Sequence, residues 1–97
     1  MTKVFSVKDT ASETFMRPFF LHSDRDAVRA FTESCRKEQA FQDWPHDFVL
    51  YEVGAWDEQE GMLIGCEPKR LISAAGAIKA FKAMHEQLDN DSIEEQK

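Results

Sequence analysis

The stretch "DFVLYEVGAWDEQEGMLIGCEP", Asp47 to Pro68, decides the fold of this chain. The residues from Phe48 to Ala55 alternate well enough to predict a β-strand. The acidic "WDEQE" and Gly61 follow, and glycine accepts the backbone conformations that tight turns need. "MLIGCE" then predicts a returning strand, so the segment predicts an antiparallel hairpin. The following "PKR", residues 68–70, is expected to end its second strand.

Two further strands are predicted before this hairpin. "KVFSVKD", residues 3–9, is short and rich in β-branched and aromatic residues, which favours a strand. After the turn-like "TASET", the stretch "FMRPFFLH", residues 15–22, predicts a second strand. Because Pro18 has no N–H to donate to a neighbouring strand, we expect this strand at an edge or with a bulge.

Helices follow each pair of strands. Ser23 is a good N-cap with Asp26 three residues later, and apolar residues at helical spacing continue to an end near Gln39. "FQDWPHD" is expected to be a connection, since proline does not continue a helix. A second helix is predicted from Ser73 to Leu88.

The predicted fold is α+β, with a ββα-ββα order and a four-stranded antiparallel sheet that carries both helices on one face. Residues 1–88 are expected to form a single domain, and residues 89–97 a mobile acidic C-terminal tail. The strands offer apolar residues to both sides, but two helices cover only one. An exposed apolar face usually marks an interface, so we expect a homodimer.

Composition restricts the function. The chain of 97 residues has a formal net charge of −6, which disfavours binding to phosphate backbones through its overall field. No apolar run approaches the ~20 residues that a membrane span needs. The two cysteines, Cys35 and Cys66, are expected to be buried or half-buried free thiols of a reducing compartment.

No constellation of catalytic residues stands out. The three histidines have no metal-ligand spacing to the cysteines, and the four glycines are too dispersed for a phosphate-binding loop. Paired acids such as Asp24 and Asp26 fit the positive end of a helix better than acid–base chemistry. We expect a protein that is not an enzyme and that has no metal and no cofactor.

One segment does have a pattern that is typical of nucleic-acid binding. "FMRPFF" interleaves a basic residue with aromatic ones, and single-strand binders combine basic grooves with aromatic platforms on which bases stack. The alternative is that most of these aromatic residues belong to the core or to a dimer interface. The candidate nucleic-acid-binding residues are Lys3, Lys8, Phe15, Arg17, Phe19, Tyr51 and Trp56.

Three segments together carry a family resemblance: "RPFFLHSDRDAVRAF", "DFVLYEVGAWDEQEGML" and "EPKRLISAA". On these the chain resembles the small non-structural protein of gokushoviruses, the microvirus-type bacteriophages with circular single-stranded DNA. The resemblance spans roughly residues 4–75, and the second helix and the tail match less distinctively. Its elements are Pro18 to Phe20, Asp26 to Phe31, Asp47 to Asp57, Gly61, and Pro68 to Leu71.

The resemblance implies a phage-encoded protein that acts in the host bacterial cytoplasm and is absent from the mature capsid. It also implies a role in genome replication or packaging, and it supplies no active site. The leading hypothesis is an accessory protein that binds single-stranded DNA through a sheet surface. The alternatives are an adaptor that binds the phage replication initiator or a host replication protein, and a scaffold-like assembly protein.

Overall fold

The computed structural model describes the backbone of residues 1–95 and the side chains of residues 1–86. It confirms the α+β class. The strands are β1 (Thr2–Asp9), β2 (Thr14–Phe15), β3 (Phe19–Leu21), β4 (Phe48–Asp57) and β5 (Met62–Ser73). The helices are α1 (Asp24–Lys37), α2 (Gln39–Asp43) and α3 (Ala74–Glu95).

The described strands form one antiparallel sheet in the order β2-β1-β4-β5, and β3 also pairs with β1. The predicted hairpin is confirmed as β4 and β5, and its turn contains Gly61 with a φ of 66°, a backbone conformation that suits glycine. The strands β2 and β3 lie along one side of β1, with β4 on the other. The outer edges of the sheet are therefore β2 with β3, and β5.

The predicted second strand is split into β2 and β3, so the described sheet has five strands and not four. The break spans residues 16–18 and ends at Pro18, which has no N–H to donate to β1. Two other contacts hold the break against β1: the Met16 N–H donates to the Val7 carbonyl oxygen at 2.8 Å, and the Ser6 hydroxyl donates to the Met16 carbonyl oxygen at 2.6 Å. The expectation that Pro18 disturbs an edge strand is confirmed.

The prediction that "PKR" ends the hairpin is wrong. The strand β5 continues through Pro68 as far as Ser73, and its register with β4 shifts between Glu52 and Gly54. A proline is tolerated there because β5 is an edge strand and the shift leaves its neighbours irregularly paired. The strand then enters α3 without a loop, and the Ser73 hydroxyl accepts a hydrogen bond from the Gly76 N–H at 3.0 Å.

The start of α1 is confirmed: the Ser23 hydroxyl accepts a hydrogen bond from the Asp26 N–H at 3.1 Å. The helix ends at Lys37, and the additional helix α2 occupies part of the predicted connection. Tertiary packing explains α2, since Phe41 is buried in the core with only 5% of its surface exposed. The ββα-ββα order is therefore replaced by three strands, two helices, two strands and a helix.

The helix α3 extends to Glu95, seven residues beyond the predicted end at Leu88. The side chains of residues 87–97 and the backbone of the last two residues lie outside the described part of the chain. The mobile acidic tail at 89–97 therefore stays a prediction.

All three helices contribute to one core on one face of the sheet. Phe5 and Leu50 from the strands and Phe31 from α1 are almost completely buried there. Cys35 of α1 belongs to the same core, and its burial raises the pKa of the thiol to about 11. Cys66 is exposed, which corrects the expectation that both thiols are buried; both cysteines are free. The buried members of the core are Phe5, Val7, Ala27, Phe31, Cys35, Phe41, Leu50, Ala74 and Ala77.

Candidate nucleic-acid interface

The face of the sheet opposite the helices can be traced through the strand register. Successive side chains of a strand point to opposite faces, and residues paired across strands share a face. Because Phe5 and Val7 pack in the helix-side core, Val4, Ser6 and Lys8 face away from it. The pairings of β1 and β4 then extend this second face across the sheet. We call it the open face and define it by its large side chains: Lys8, Phe15, Phe20, Tyr51, Trp56, Leu63 and Arg70.

The open face is aromatic, apolar and uncovered in the described chain. Phe15 is 43% exposed, Phe20 47% and Leu63 63%. Beneath these side chains, Val4 and Val49 are buried although neither belongs to the helix-side core. The larger side chains thus cover the smaller ones and themselves remain accessible to a ligand.

At one end of the open face, basic and aromatic groups are in contact. The rings of Phe15 and Tyr51 meet edge to face, with centroids 5.5 Å apart. The Lys8 ammonium lies 5.6 Å from the Phe15 centroid, within the range of a cation–π interaction. Arg70 is exposed and pairs in register with Tyr51. Tyr51 is therefore the aromatic centre of this end, with a cation on either side.

A pair of glycines lies between Tyr51 and Trp56. Gly54 of β4 pairs with Gly65 of β5, so this part of the hairpin carries no side chains. A Cβ at Gly54 would collide with the Ile64 carbonyl oxygen, whereas a Cβ at Gly65 would meet nothing within 4 Å. Gly54 is thus required by the close approach of β5, and the bare backbone leaves a shallow floor between two aromatic side chains.

The charges on the open face differ from those of the whole chain. Among the positions that the register assigns to this face, Lys8 and Arg70 are charged and none is acidic. The acidic residues that give the chain its formal net charge of −6 therefore lie at other positions. A local basic surface of this kind is compatible with phosphate contacts that the overall charge alone disfavours.

Lys3 lies on the helix-covered face. Its ammonium contacts the Asp24 carboxylate at 3.1 Å and the Glu52 carboxylate at 3.4 Å. The hydrogen bond to Asp24, and then that to Glu52, hold the pKa of Lys3 above its ordinary value. The pKa of Asp24 is lowered by hydrogen bonding with Glu52 and then with Lys3, and Lys69 lies 3.7 Å away. Lys3 is thus engaged in a structural charge cluster away from the open face.

Phe19 also belongs to the helix side, where its ring stacks on Phe5 with centroids 5.8 Å apart. Arg17 is exposed and borders, together with Phe19, a helix-side cavity of about 460 Å³. The structure therefore separates Lys3, Arg17 and Phe19 from the four other candidates. It brings together Lys8, Phe15, Tyr51 and Trp56 on the open face.

Sequence reasoning missed Phe20, Leu63 and Arg70. Phe20 directly follows Phe19, and strict alternation in that strand would have placed it on the opposite face. Arg70 was missed because the "PKR" segment was predicted to lie outside the strand, whereas it pairs with Tyr51. The alternation was therefore the available signal for Phe20, and none was available for Arg70.

The described residues show neither a metal cluster nor a membrane-spanning helix. No group of three or more histidine, cysteine or acidic side chains among them is placed to hold a metal ion. None of the described helices combines the length and the apolar character needed to cross a bilayer.

The fold and the open face define a small α+β protein with an uncovered aromatic sheet surface. The chain belongs to the Phage ORF5 protein family, whose family model matches residues 2–78. It is therefore a bacteriophage protein, and the match includes all five strands and every residue that defines the open face. Comparison with curated proteins and with solved structures gives no match.

Proposed function

We propose that this phage protein is a non-enzymatic accessory factor in the replication or packaging of a single-stranded DNA genome, and that it binds single-stranded DNA through the open face. The proposal includes the gokushovirus type of phage and action in the host bacterial cytoplasm. The observation that carries it is the combination of Tyr51, Lys8 and Arg70 on a sheet face to which the register of the described strands assigns no acidic residue. Family membership supports the phage context.

The geometry suits a single strand better than a duplex. Exposed aromatic rings offer stacking surfaces to unpaired bases, and each stacked base contributes about 1–3 kcal/mol. The glycine pair, Gly54 and Gly65, leaves room for a nucleotide between Tyr51 and Trp56. Lys8 and Arg70 supply the cations that contact the phosphates. No step of this binding needs a catalytic group or a metal.

The first experiment is fluorescence anisotropy of a labelled oligothymidine titrated with the full chain at low and near-physiological salt. We expect affinity to fall with salt. Replacing Lys8 and Arg70 together by alanine removes two phosphate contacts. The plot of log affinity against log salt should then become less steep, its slope falling in magnitude by about 1.4. Unchanged affinity and slope in this double variant would count decisively against the open face.

A matched control is available on α1. Arg29 and Lys37 are both exposed and lie on the helix side of the molecule. Replacing these two by alanine changes the net charge by the same amount as the Lys8 and Arg70 substitutions. We expect the control variant to keep most of the wild-type affinity, which separates a local contact from an effect of overall charge.

Intrinsic fluorescence gives a second readout that locates the ligand. The chain has two tryptophans, and Trp56 lies on the open face while Trp44 is the C-cap of α2. In a Trp44→Phe variant the remaining emission comes from Trp56. We expect oligothymidine to quench it, because a base stacked on indole quenches fluorescence. Binding without quenching would place the DNA elsewhere on the chain.

The second candidate function is an adaptor that binds the phage replication initiator or a host replication protein. The exposed Phe15, Phe20 and Leu63, together with a net charge of −6, favour a protein ligand for the same face. Absence of oligothymidine binding at both salt concentrations would favour this candidate. Pull-down with wild type and with a Phe20→Asp variant would then test whether a replication protein is recovered through the open face.

A further inference from the structure

The strand β5 forms an outer edge of the sheet. Among the described strands only β4 pairs with it, so the other side of its 12 residues, Met62–Ser73, presents backbone groups without a sheet partner. Such an edge is a template for another strand, and natural proteins usually protect it with charges, prolines or bulges.

Protection of this edge is uneven. Its second half contains Pro68, Lys69 and an irregular register, all of which disfavour a new strand. Its first half, "MLIGC" at residues 62–66, contains neither a charge nor a proline. In that half Met62 is 55% exposed, Leu63 63% and Ile64 40%. An unprotected strand edge therefore coincides with an exposed apolar cluster.

The charges at the two ends of this half are opposite. The turn before it carries Glu58 and Glu60, and the segment after it carries Lys69 and Arg70. When two identical strands pair antiparallel, the beginning of one lies against the end of the other. The acidic turn of each copy then meets the basic segment of its partner, twice in one symmetric contact. A parallel arrangement would instead bring like charges together.

We infer that a second copy of this chain pairs antiparallel with residues 62–66 of β5, so that two sheets join into one. A centre at Ile64 pairs residues 62–66 of the two copies with each other. It places Glu58 of one copy beside Arg70 of the other, because each residue is six positions from Ile64. This contact differs from the dimer that the sequence led us to expect. In that dimer the second copy covers the open face. Edge pairing leaves both open faces free, and it does not depend on the proposed DNA binding.

The test is sedimentation equilibrium of the full chain over a concentration series, without nucleic acid. We expect a monomer–dimer equilibrium. Ile64→Lys places a charge on the pairing edge and should weaken dimerisation by about tenfold or more. Ile64 pairs with Ala55 on the helix side of the hairpin, so this change leaves the residues of the open face unaltered. Met84→Lys is the matched control, since Met84 is a 60% exposed apolar residue of α3, and it should leave dimerisation unchanged.

A charge exchange makes the test independent of any damage to folding by Ile64→Lys. Arg70→Glu should weaken the dimer by placing like charges together, and the double variant with Glu58→Arg should restore it. Circular dichroism verifies that each variant is folded. A monomer at every concentration would overturn the inference. So would a dimer that persists unchanged in Ile64→Lys, or a charge exchange without recovery.

Discussion

The two faces of the sheet are built from alternate residues of the same strands, yet they have opposite fates. On the helix-covered face, Phe5 and Leu50 are completely buried. On the open face, Phe15 and Phe20 remain almost half exposed. A strand with apolar residues on both sides does not itself show which side is buried. The position of the helices decides which side becomes core. The uncovered side is available for binding.

The largest expected effect separates the two faces by stability. Leu50→Ala should lower the free energy of unfolding by about 2–5 kcal/mol, because it removes buried surface and leaves a cavity. Phe20→Ala, on the open face, should cost less than about 1 kcal/mol. Urea denaturation of both variants beside wild type measures the difference. Equal losses would mean that the open face is covered in solution.

The two thiols compare a buried position with an exposed one through their reaction rates. Burial raises the pKa of Cys35 to about 11, whereas Cys66 is exposed. Because the thiolate is the reactive form, Cys66 should react with iodoacetamide near neutral pH at least about a hundredfold faster than Cys35. Mass spectrometry of a time course reads both sites. Fast labelling of Cys35 in the folded chain would show that the helix-side core opens readily.

The glycine pair provides a finer contrast within one row of the sheet. Gly54→Ala forces a Cβ against the Ile64 carbonyl oxygen and should cost about 1–3 kcal/mol of stability. Gly65→Ala meets open space and should change stability by no more than about 0.5 kcal/mol. Thermal and urea unfolding compare the two single variants. A tolerated Gly54→Ala would show that β4 and β5 separate easily at this point.

The smallest expected effect concerns the charge cluster of the helix-covered face. The pKa of Asp24 is lower in the folded chain than its ordinary value of 3.8, so the folded chain binds fewer protons there than the unfolded chain. Its contribution to stability is present above pH 3.8 and is lost as pH falls towards the folded pKa. Since Asp24 and its partner Lys3 are both partly exposed, solvent screens their interaction and we expect this contribution to be small.

Asp24→Asn should therefore reduce the loss of stability that occurs on acidification below pH 3.8. Urea unfolding of the variant and of wild type at a series of acidic pH values measures this. Asp26→Asn is a useful control, since Asp26 is exposed in the same helical turn. If both variants follow the wild-type pH profile, ionised Asp24 does not stabilise the fold.

Local signals in the sequence were sufficient for much of the fold. The Ser23 cap, the turn at Gly61 and the disturbance at Pro18 each depend on one or two residues, and all three are confirmed. The helix α2 could not be found this way, because burial of Phe41 by tertiary packing stabilises it. The strand through Pro68 was missed for a similar reason, since only its position at a sheet edge makes proline acceptable.

The candidate site was predictable only in part. Alternation and composition identified Lys8, Phe15, Tyr51 and Trp56 as aromatic and basic strand residues. The choice of face required the register, which depends on a bulge between β1 and β4 that local patterns do not reveal. Lys3 lies five positions before Lys8 in β1, so alternation already places it on the opposite face, where it forms ion pairs with Asp24 and Glu52.

The direct passage of β5 into α3 at Ser73 has a mechanical consequence. The Ala75 N–H donates to the Pro45 carbonyl oxygen at 2.9 Å, which fixes the beginning of the helix to the connection before β4. From that fulcrum the 22 residues of α3 extend as an arm of about 33 Å. A tilt of about 5° at β5 therefore moves the far end of the arm by about 3 Å. Because strand and helix are joined without a loop, a partner or ligand that shifts β5 would also shift α3, whose first turns pack in the core through Ala74 and Ala77.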